Sequence, residues 1–198
     1  KIKLSRPQQL MAAEREIIEE AYAGDIIGVF DPGIFSIGDT LCTAAHKFRF
    51  DPIPTFAPEH FRRVRSMDTM KRKQFLKGME QIAQEGAIQI FKTPYSGMEE
   101  VIVGVVGTLQ FDVLEYRLKN EYGVDLYAES LPYEYLRWLH HDGDEPLRAE
   151  DLTLPGDAML VEDYRQNQLL LFASQWSISW TAERNKQITL SEFGGARF

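Results

Sequence analysis

The residues best suited to metal or acid–base chemistry lie in one short segment of this sequence. His140 and His141 are adjacent, and Asp142, Asp144 and Glu145 follow closely. Neighbouring residues of a strand point to opposite faces, so the two imidazoles would not chelate one ion. The chain also lacks the His-x-x-x-His spacing and the cysteine pairs that are typical of zinc sites. We therefore predict no metal site here and interpret the carboxylates as a solvated loop.

Cys42 and His46 form a second candidate pair, because a thiol beside an imidazole can act as a nucleophile. The alternative, which we favour, is a buried thiol, since free cysteines usually pack as small apolar residues. A phosphate-binding Gly-x-x-x-x-Gly-Lys-Ser/Thr loop is absent from the sequence, as is Gly-x-Gly-x-x-Gly. The sequence thus predicts no catalytic residue and no cofactor site in this chain.

The three tryptophans, Trp138, Trp176 and Trp180, admit two interpretations. Aromatic side chains can stack on nucleic-acid bases, but they are more often part of an apolar core. Trp176 and Trp180 lie four residues apart in a segment that Ser174 is suited to cap as a helix. We favour the core for all three.

Charge is strongly segregated in this acidic chain, which has a net charge of −8. Residues 59–80 contain seven Lys or Arg against three Asp or Glu, whereas residues 120–163 contain two against twelve. A polyanion would be attracted to the first segment and repelled by the second. The alternative is that both segments are solvated faces. The candidate docking residues are Arg62, Arg63, Arg65, Lys73 and Lys77.

The number of cysteines and the length of the apolar runs indicate where the protein is expected to reside. Cys42 is the only cysteine, so no internal disulfide can form, which favours a reducing cytoplasm. No apolar run reaches the ~18 residues of a membrane span, and the first residues do not read as a signal peptide. We therefore expect a cytoplasmic protein with no membrane partner.

The spacing of turn residues divides the chain into three parts. In residues 1–50, short apolar runs alternate with turn signals, which predicts β structure, including a strand over 26–30. Short strands at this interval suggest a small barrel or sandwich. This part is too short to close a barrel alone, so we predict the C-terminal part of a β-barrel and infer that the chain comes from a longer protein. Residues 51–58 hold three prolines and predict an extended linker.

The third part, residues 59–198, begins with a β-α-β-β-α-β order. The pattern predicts strands near 61–64, 87–91, 101–106 and 124–128, with helices over 69–85 and 109–122. This order is that of a ferredoxin-like sheet with two helices on one face, so the fold class is α+β. The remainder, 131–198, is a C-terminal extension: irregular to 157, then a hairpin over 158–173 and a helix to about 184.

The second predicted helix has two apolar stripes and therefore needs cover on two sides. We expect the first stripe to face the sheet and the second to pack on the segment that carries Trp176 and Trp180. The first stripe consists of Phe111, Leu114 and Leu118. The second consists of Leu109, Val113 and Tyr116.

Several segments resemble translational GTPases. Residues 20–28, EAYAGDIIG, followed by IGDTL at 37–41, are similar to the second domain of factors such as elongation factor G. Residues 56–64, FAPEHFRRV, resemble the start of the third domain of the peptide chain release factor three family. Residues 103–113, VGVVGTLQFDV, with RLKNEY at 117–122, match that family's signature, and the pair Gln110-Phe111 separates it from elongation factor G.

The resemblance covers nearly the whole chain and implies a C-terminal portion that lacks its GTPase domain. It implies a ribosome-docking part of a GTP-dependent termination factor, which promotes the departure of class I release factors after peptide release. GTP or GDP, with Mg²⁺, would bind in the missing N-terminal domain. The implied partners are the ribosome (its RNA and proteins), the class I release factors and the chain's own GTPase domain.

One alternative is a free-standing interaction module with a ferredoxin-like core and no nucleotide partner. It requires residues 1–50 to form a complete domain, and a phosphate-binding loop upstream in the coding sequence would exclude it. An enzyme in its own right has no residue constellation to support it.

The missing phosphate-binding loop generates a first prediction. This chain should neither bind nor hydrolyse GTP, because its sequence has no phosphate-binding loop. Equilibrium titration with a fluorescent guanine nucleotide tests this directly. Micromolar affinity of the isolated chain would contradict the prediction.

Overall fold

The computed structural model describes residues 7–11, 14–30, 35, 37–50, 56–94, 100–143 and 145–192. Within these ranges the chain forms strands and helices that follow the order expected of an α+β protein. The strands are β1 (Gln8–Met11), β2 (Glu14–Ile17), β3 (His60–Ser66), β4 (Gln89–Lys92), β5 (Val101–Val105), β6 (Leu126–Leu131), β7 (Tyr135–His141), β8 (Ala158–Asp163), β9 (Gln168–Phe172) and β10 (Ile188–Ser191). The helices are α1 (Arg72–Gln84), α2 (Leu109–Tyr122) and α3 (Gln175–Arg184), and 3₁₀ turns span Thr69–Lys71 and Ala149–Asp151.

The N-terminal part contains one antiparallel hairpin. β1 pairs with β2, with Gln8 opposite Ile17. The strand predicted over 26–30 is wrong: only Gly28 pairs, through an isolated bridge to Gln8. Between residues 18 and 50 the described residues form no further strand. The predicted partial barrel is therefore represented here by the hairpin and this bridge, and the linker residues 51–55 lie outside the described ranges.

The central part forms four antiparallel strands in the order β4-β5-β3-β6. Its second helix has the predicted bounds, and Gly123 ends it with a φ of +66°, a conformation that glycine adopts without strain. The first helix differs slightly: the Asp68 carboxylate accepts from the Met70 amide, a 3₁₀ turn follows, and α1 begins at Arg72 rather than Thr69. Both helices cover one face of these strands.

The C-terminal extension continues the same sheet. β8 pairs with β4, and the full strand order is β10-β7-β9-β8-β4-β5-β3-β6. The hairpin predicted over 158–173 is confirmed as β8 and β9. The prediction that residues 131–157 are irregular is wrong in part, because β7 lies there between β9 and β10. Leu136, Trp138 and Leu139 of β7 are buried.

Three clusters of buried side chains hold these layers together. The first lies between α1, α2 and the sheet, and includes Val64, Phe75, Val103 and Leu118. The second joins the opposite face of β3, β4 and β5 to β7, β8 and β9, which shows that the sheet bends back on itself. The third lies on the outer side of the extension, where α3 packs on β9 and β10.

The two stripes of α2 have different outcomes. Phe111, Leu114 and Leu118 are buried in the cluster between the helices and the sheet, as predicted. The second stripe is not covered: Leu109 is 76% exposed, Val113 50% and Tyr116 69%. The predicted packing against the tryptophan-bearing segment is wrong, because α3 covers β9 and β10 at the other end of the bent sheet.

This difference between the stripes predicts a difference in stability. Leu114→Ala should lower the free energy of unfolding by about 2–5 kcal/mol, because it opens a cavity in the core. Val113→Ala, the matched control on the preceding residue, should cost less than ~0.5 kcal/mol. Denaturant unfolding of this chain measures both. Similar costs for the two variants would show that Val113 is covered in solution.

Candidate docking surface

The two helices on the sheet lie close together because of one glycine. A Cβ atom at Gly78 of α1 would come within 2.6 Å of Leu118 Cδ2 and 3.0 Å of the Tyr122 ring on α2. Any larger residue would force the helices apart. The Tyr122 hydroxyl also donates to Gln81 Oε1 at 2.9 Å. The outward faces of α1 and α2 therefore form one continuous surface.

A guanidinium also fixes α2 to the end of α1. Arg117 donates to Glu121 Oε1 at 2.8 Å on its own helix and to Glu85, just beyond α1. The hydrogen bonds that Arg117 donates to Glu121, and then to Glu85, raise its pKa above the usual range, so it stays charged. The same guanidinium lowers the pKa of the Glu121 carboxyl. The cluster carries two carboxylates for one cation.

The turn that starts α2 is held by a side chain rather than by a conventional cap. Gln110 Oε1 accepts from the amides of Val106 and Gly107, both at 3.0 Å. Its amide nitrogen donates to the Ala87 carbonyl at 2.7 Å, just before β4. Gln110 thus sets the position of α2 relative to the sheet, which gives a structural use to this residue of the signature at 103–113.

The outward face of α1 is basic. Lys73 and Lys77 lie opposite its buried residues Phe75, Met79 and Ile82. Both lysines are exposed, and neither forms an ion pair among the residues that the structure describes. Lysines one helical turn apart with free ammonium groups can contact successive phosphates or carboxylates.

The three predicted docking arginines do not join these lysines. Arg62 lies on the helix side of β3 but is half-buried, with its guanidinium 4.2 Å from the centroid of the Phe111 ring. Arg63 and Arg65 point to the other face of the sheet, because side chains alternate along a strand. Arg63 pairs with Glu129 at 3.3 Å, and Arg65 stacks over Tyr127. Of the five candidates, only Lys73 and Lys77 share an exposed face.

The histidines and the cysteine that were candidates for metal or nucleophile chemistry do not form such a site in the described ranges. His140 Nε2 is 2.8 Å from Ser191 Oγ, and His141 Nδ1 accepts from the Gly143 amide. Within the described ranges no group of three or more potential ligands is placed to hold a metal ion. Cys42 is exposed, so the predicted buried thiol is wrong.

The tryptophans are divided between core and surface. Trp138 is buried where the two halves of the sheet meet, as predicted. Trp176 is 64% exposed, so the core prediction is wrong for that residue. Its ring centroid lies 6.1 Å from that of Trp180.

A mixed-charge groove of about 830 Å³ lies where β3 begins and β6 passes into β7. Tyr133 lines it, and burial raises the pKa of the Tyr133 hydroxyl. Arg137 on its wall is neutralised by Glu192 at 2.8 Å. The charged residues that line the groove are three glutamates and two arginines, so it has no cationic character that would select an anion.

The exposed stripe on α2 is the surface that sequence reasoning missed. The sequence does indicate that this helix has two apolar sides. The spacing of the apolar residues alone does not show what covers the second side. α1 and α2 run antiparallel, because Lys71 at the start of α1 donates to the Gly123 carbonyl at the end of α2, and Glu85 at the end of α1 pairs with Arg117. The stripe therefore lies toward the opposite end of the helix pair from Lys73 and Lys77. The two helices thus display different chemistry on one surface.

Two protein families match this chain, each over a different range of residues. Residues 1–44 match the family model for domain 2 of elongation factor G, and residues 50–182 match that for the C-terminal domain of class II release factor RF3. The first match shows that the N-terminal part is similar to a domain of a translation factor. The second covers most of the chain, and the chain belongs to the class II release factor RF3 family.

Curated relatives agree with this assignment. The chain is 48% identical over its whole length to a protein of Symbiobacterium thermophilum named peptide chain release factor 3, and covers 36% of that protein. It is 42% identical to a protein of the same name from Listeria welshimeri and 39% identical to one from Macrococcus caseolyticus, in each case over 96% of the chain and 35% of the relative. The chain thus spans about a third of the length of these relatives. No helix in the described ranges is long and apolar enough to cross a membrane.

Proposed function

We propose that this chain is the ribosome-docking portion of a GTP-dependent translation termination factor. The observation that carries the proposal is the match to the RF3 C-terminal domain over residues 50–182, together with 48% identity to a named release factor over the whole chain. In this proposal the complete factor promotes dissociation of class I release factors from the ribosome after peptide release. Its partners are the ribosome, those release factors and its own GTPase domain.

The nucleotide belongs to another part of the factor in this proposal. GTP or GDP with Mg²⁺ binds the N-terminal GTPase domain, and this portion contributes no catalytic residue. Its role is mechanical: it holds the ribosome and moves relative to the GTPase domain as the nucleotide changes. The rigid attachment of α1 to α2, through Gly78 and Arg117, suits a part that must move as one body.

We assign the fold in more detail on the same basis. Residues 1–50 belong to the β-barrel second domain, residues 51–58 to the linker and residues 59–198 to the third domain, with a ferredoxin-like core over 59–130. The separate family matches to residues 1–44 and 50–182 support this division. The order β4-β5-β3-β6, with both helices on one face, supports the ferredoxin-like core.

Lys73 and Lys77 are the docking residues that the geometry favours. Their exposed ammonium groups have no acidic partner among the described residues, so a ribosomal phosphate can use their full charge. Arg62 is half-buried, Arg63 is neutralised by glutamates, and Arg65 lies on the other face. We therefore retain all five as candidates and assign the first contact to the two lysines.

The basic face of α1 generates a prediction for ribosome binding. Lys73→Glu with Lys77→Glu in the full-length factor should weaken binding to purified ribosomes by roughly tenfold or more at low salt. It should also flatten the salt dependence, by about 0.7–0.9 in the log–log slope for each phosphate that the variant no longer neutralises. Titration over a series of salt concentrations measures both quantities.

The control changes the same number of charges elsewhere. Arg184→Glu with Lys186→Glu alters exposed residues at the end of α3, far along the bent sheet from α1. We expect it to weaken ribosome binding less than Lys73→Glu with Lys77→Glu does, because it changes the net charge equally but removes no proposed phosphate contact. Equal reductions in the two double variants would show that Lys73 and Lys77 make no specific contact.

A further inference from the structure

We propose that the exposed stripe of α2 docks onto a protein surface with an apolar centre and a basic rim, at the opposite end of the helix pair from the phosphates that the lysines of α1 meet. The proposal rests on the proposed function. It names the chemistry of the partner that meets the α2 part of the two-helix surface. It assigns α2 a role in protein recognition, whereas the lysines of α1 recognise RNA.

The stripe has the geometry of a helix face made for a partner. Leu109, Val113 and Tyr116 are spaced by four and three residues, which aligns them along one side of α2. Val106, 49% exposed, extends the apolar surface beyond the start of the helix. The stripe lies opposite Phe111, Leu114 and Leu118, so α2 cannot turn it inward without exposing its core residues.

The position of the stripe is held independently of any partner. Gln110 fixes the start of α2, and Arg117 joins its second half to the end of α1. Docking through the stripe therefore needs no rearrangement of the helix. Pre-ordered side chains lose less conformational entropy on binding than flexible ones.

The charges around the stripe select the chemistry of the partner. Asp112 and Glu115 are exposed beside it, and neither forms an ion pair among the described residues. On the other flank, the Arg117 cluster carries one more carboxylate than cation. Lys119 adds no free positive charge, because Asp125 pairs with it at 3.2 Å. The apolar stripe thus has a negative rim.

A negative rim with an apolar centre excludes a phosphate backbone and fits a basic protein surface. Phosphates would be repelled by Asp112 and Glu115, and RNA offers little apolar area to the side chains of Leu109 and Val113. Lysines and arginines around an apolar patch complement both features. The outward face of α1 has the opposite character and lies toward the other end of the antiparallel pair, so the two helices present a basic end to RNA and an acid-rimmed apolar end to protein.

The test measures binding of the full-length factor to purified ribosomes with three variants. Val113→Ala with Tyr116→Ala should weaken binding about tenfold and leave the salt slope unchanged, because the side chains removed are uncharged. Asp112→Asn with Glu115→Gln should weaken binding roughly three- to tenfold at low salt, because it removes charges that attract a basic surface. Trp176→Ala, which truncates an exposed aromatic ring on α3, should have no effect.

The charge-removing variant distinguishes the partners by the sign of its effect. Stronger binding after Asp112→Asn with Glu115→Gln would mean that phosphates face α2, and would overturn the inference. Unchanged binding in both α2 variants would also overturn it, and would leave the stripe to another partner such as the factor's own GTPase domain. In both cases, weaker ribosome binding by the Lys73→Glu, Lys77→Glu variant would still support the proposed function. Failure of the wild-type factor to bind ribosomes would overturn both.

Discussion

The structure depends on the need to bury both faces of its central strands. In β5, Val101 and Val103 point to the helices, and Ile102 points the other way, yet each is at most 3% exposed. A sheet that is apolar on both faces requires two covering layers. α1 and α2 provide the first. The bend that brings β7, β8 and β9 against the opposite face provides the second, so the C-terminal extension completes the core of the central part.

This arrangement determines which surfaces remain free. Because the bent sheet covers its own second face, α3 is used at the far end, on β9 and β10. The outer sides of α1 and α2 are left without cover in the described part of the chain. They are also held rigidly, through the close approach at Gly78 and the Arg117 cluster. A rigid two-helix surface with a basic end and an apolar, acid-rimmed end is well suited to a composite target.

Local signals in the sequence predict the central part well. The bounds of α2 follow from its apolar spacing and from Gly123, and the hairpin of β8 and β9 follows from two apolar runs around a polar turn. β7 escapes prediction because Trp138 and Leu139 are consecutive buried residues and two histidines follow them, so the segment lacks the alternation of a half-buried strand. Its pairing partners, β9 and β10, are distant in sequence.

The docking surface of α1 and α2 is harder to predict, because it depends on contacts between segments that are distant in sequence. Net charge along a segment does not show which face each residue occupies: Arg62 and Arg63 are adjacent but lie on opposite faces of β3. The second stripe of α2 is recognisable as apolar, but its cover depends on where the bend of the sheet carries α3. The usual behaviour of cysteines predicts a buried Cys42, and no local pattern indicates its exposure.

Site-specific photo-crosslinking on the ribosome tests the central claim most directly. A photoreactive amino acid would replace Lys73 on α1 or Val113 on α2 in the full-length factor, and the adducts formed with purified ribosomes would be separated by nuclease and protease sensitivity. We predict that position 73 crosslinks to ribosomal RNA and position 113 to a basic ribosomal protein. Adducts with RNA from both positions, or from neither position in a complex that has formed, would contradict the division of the surface between the two helices.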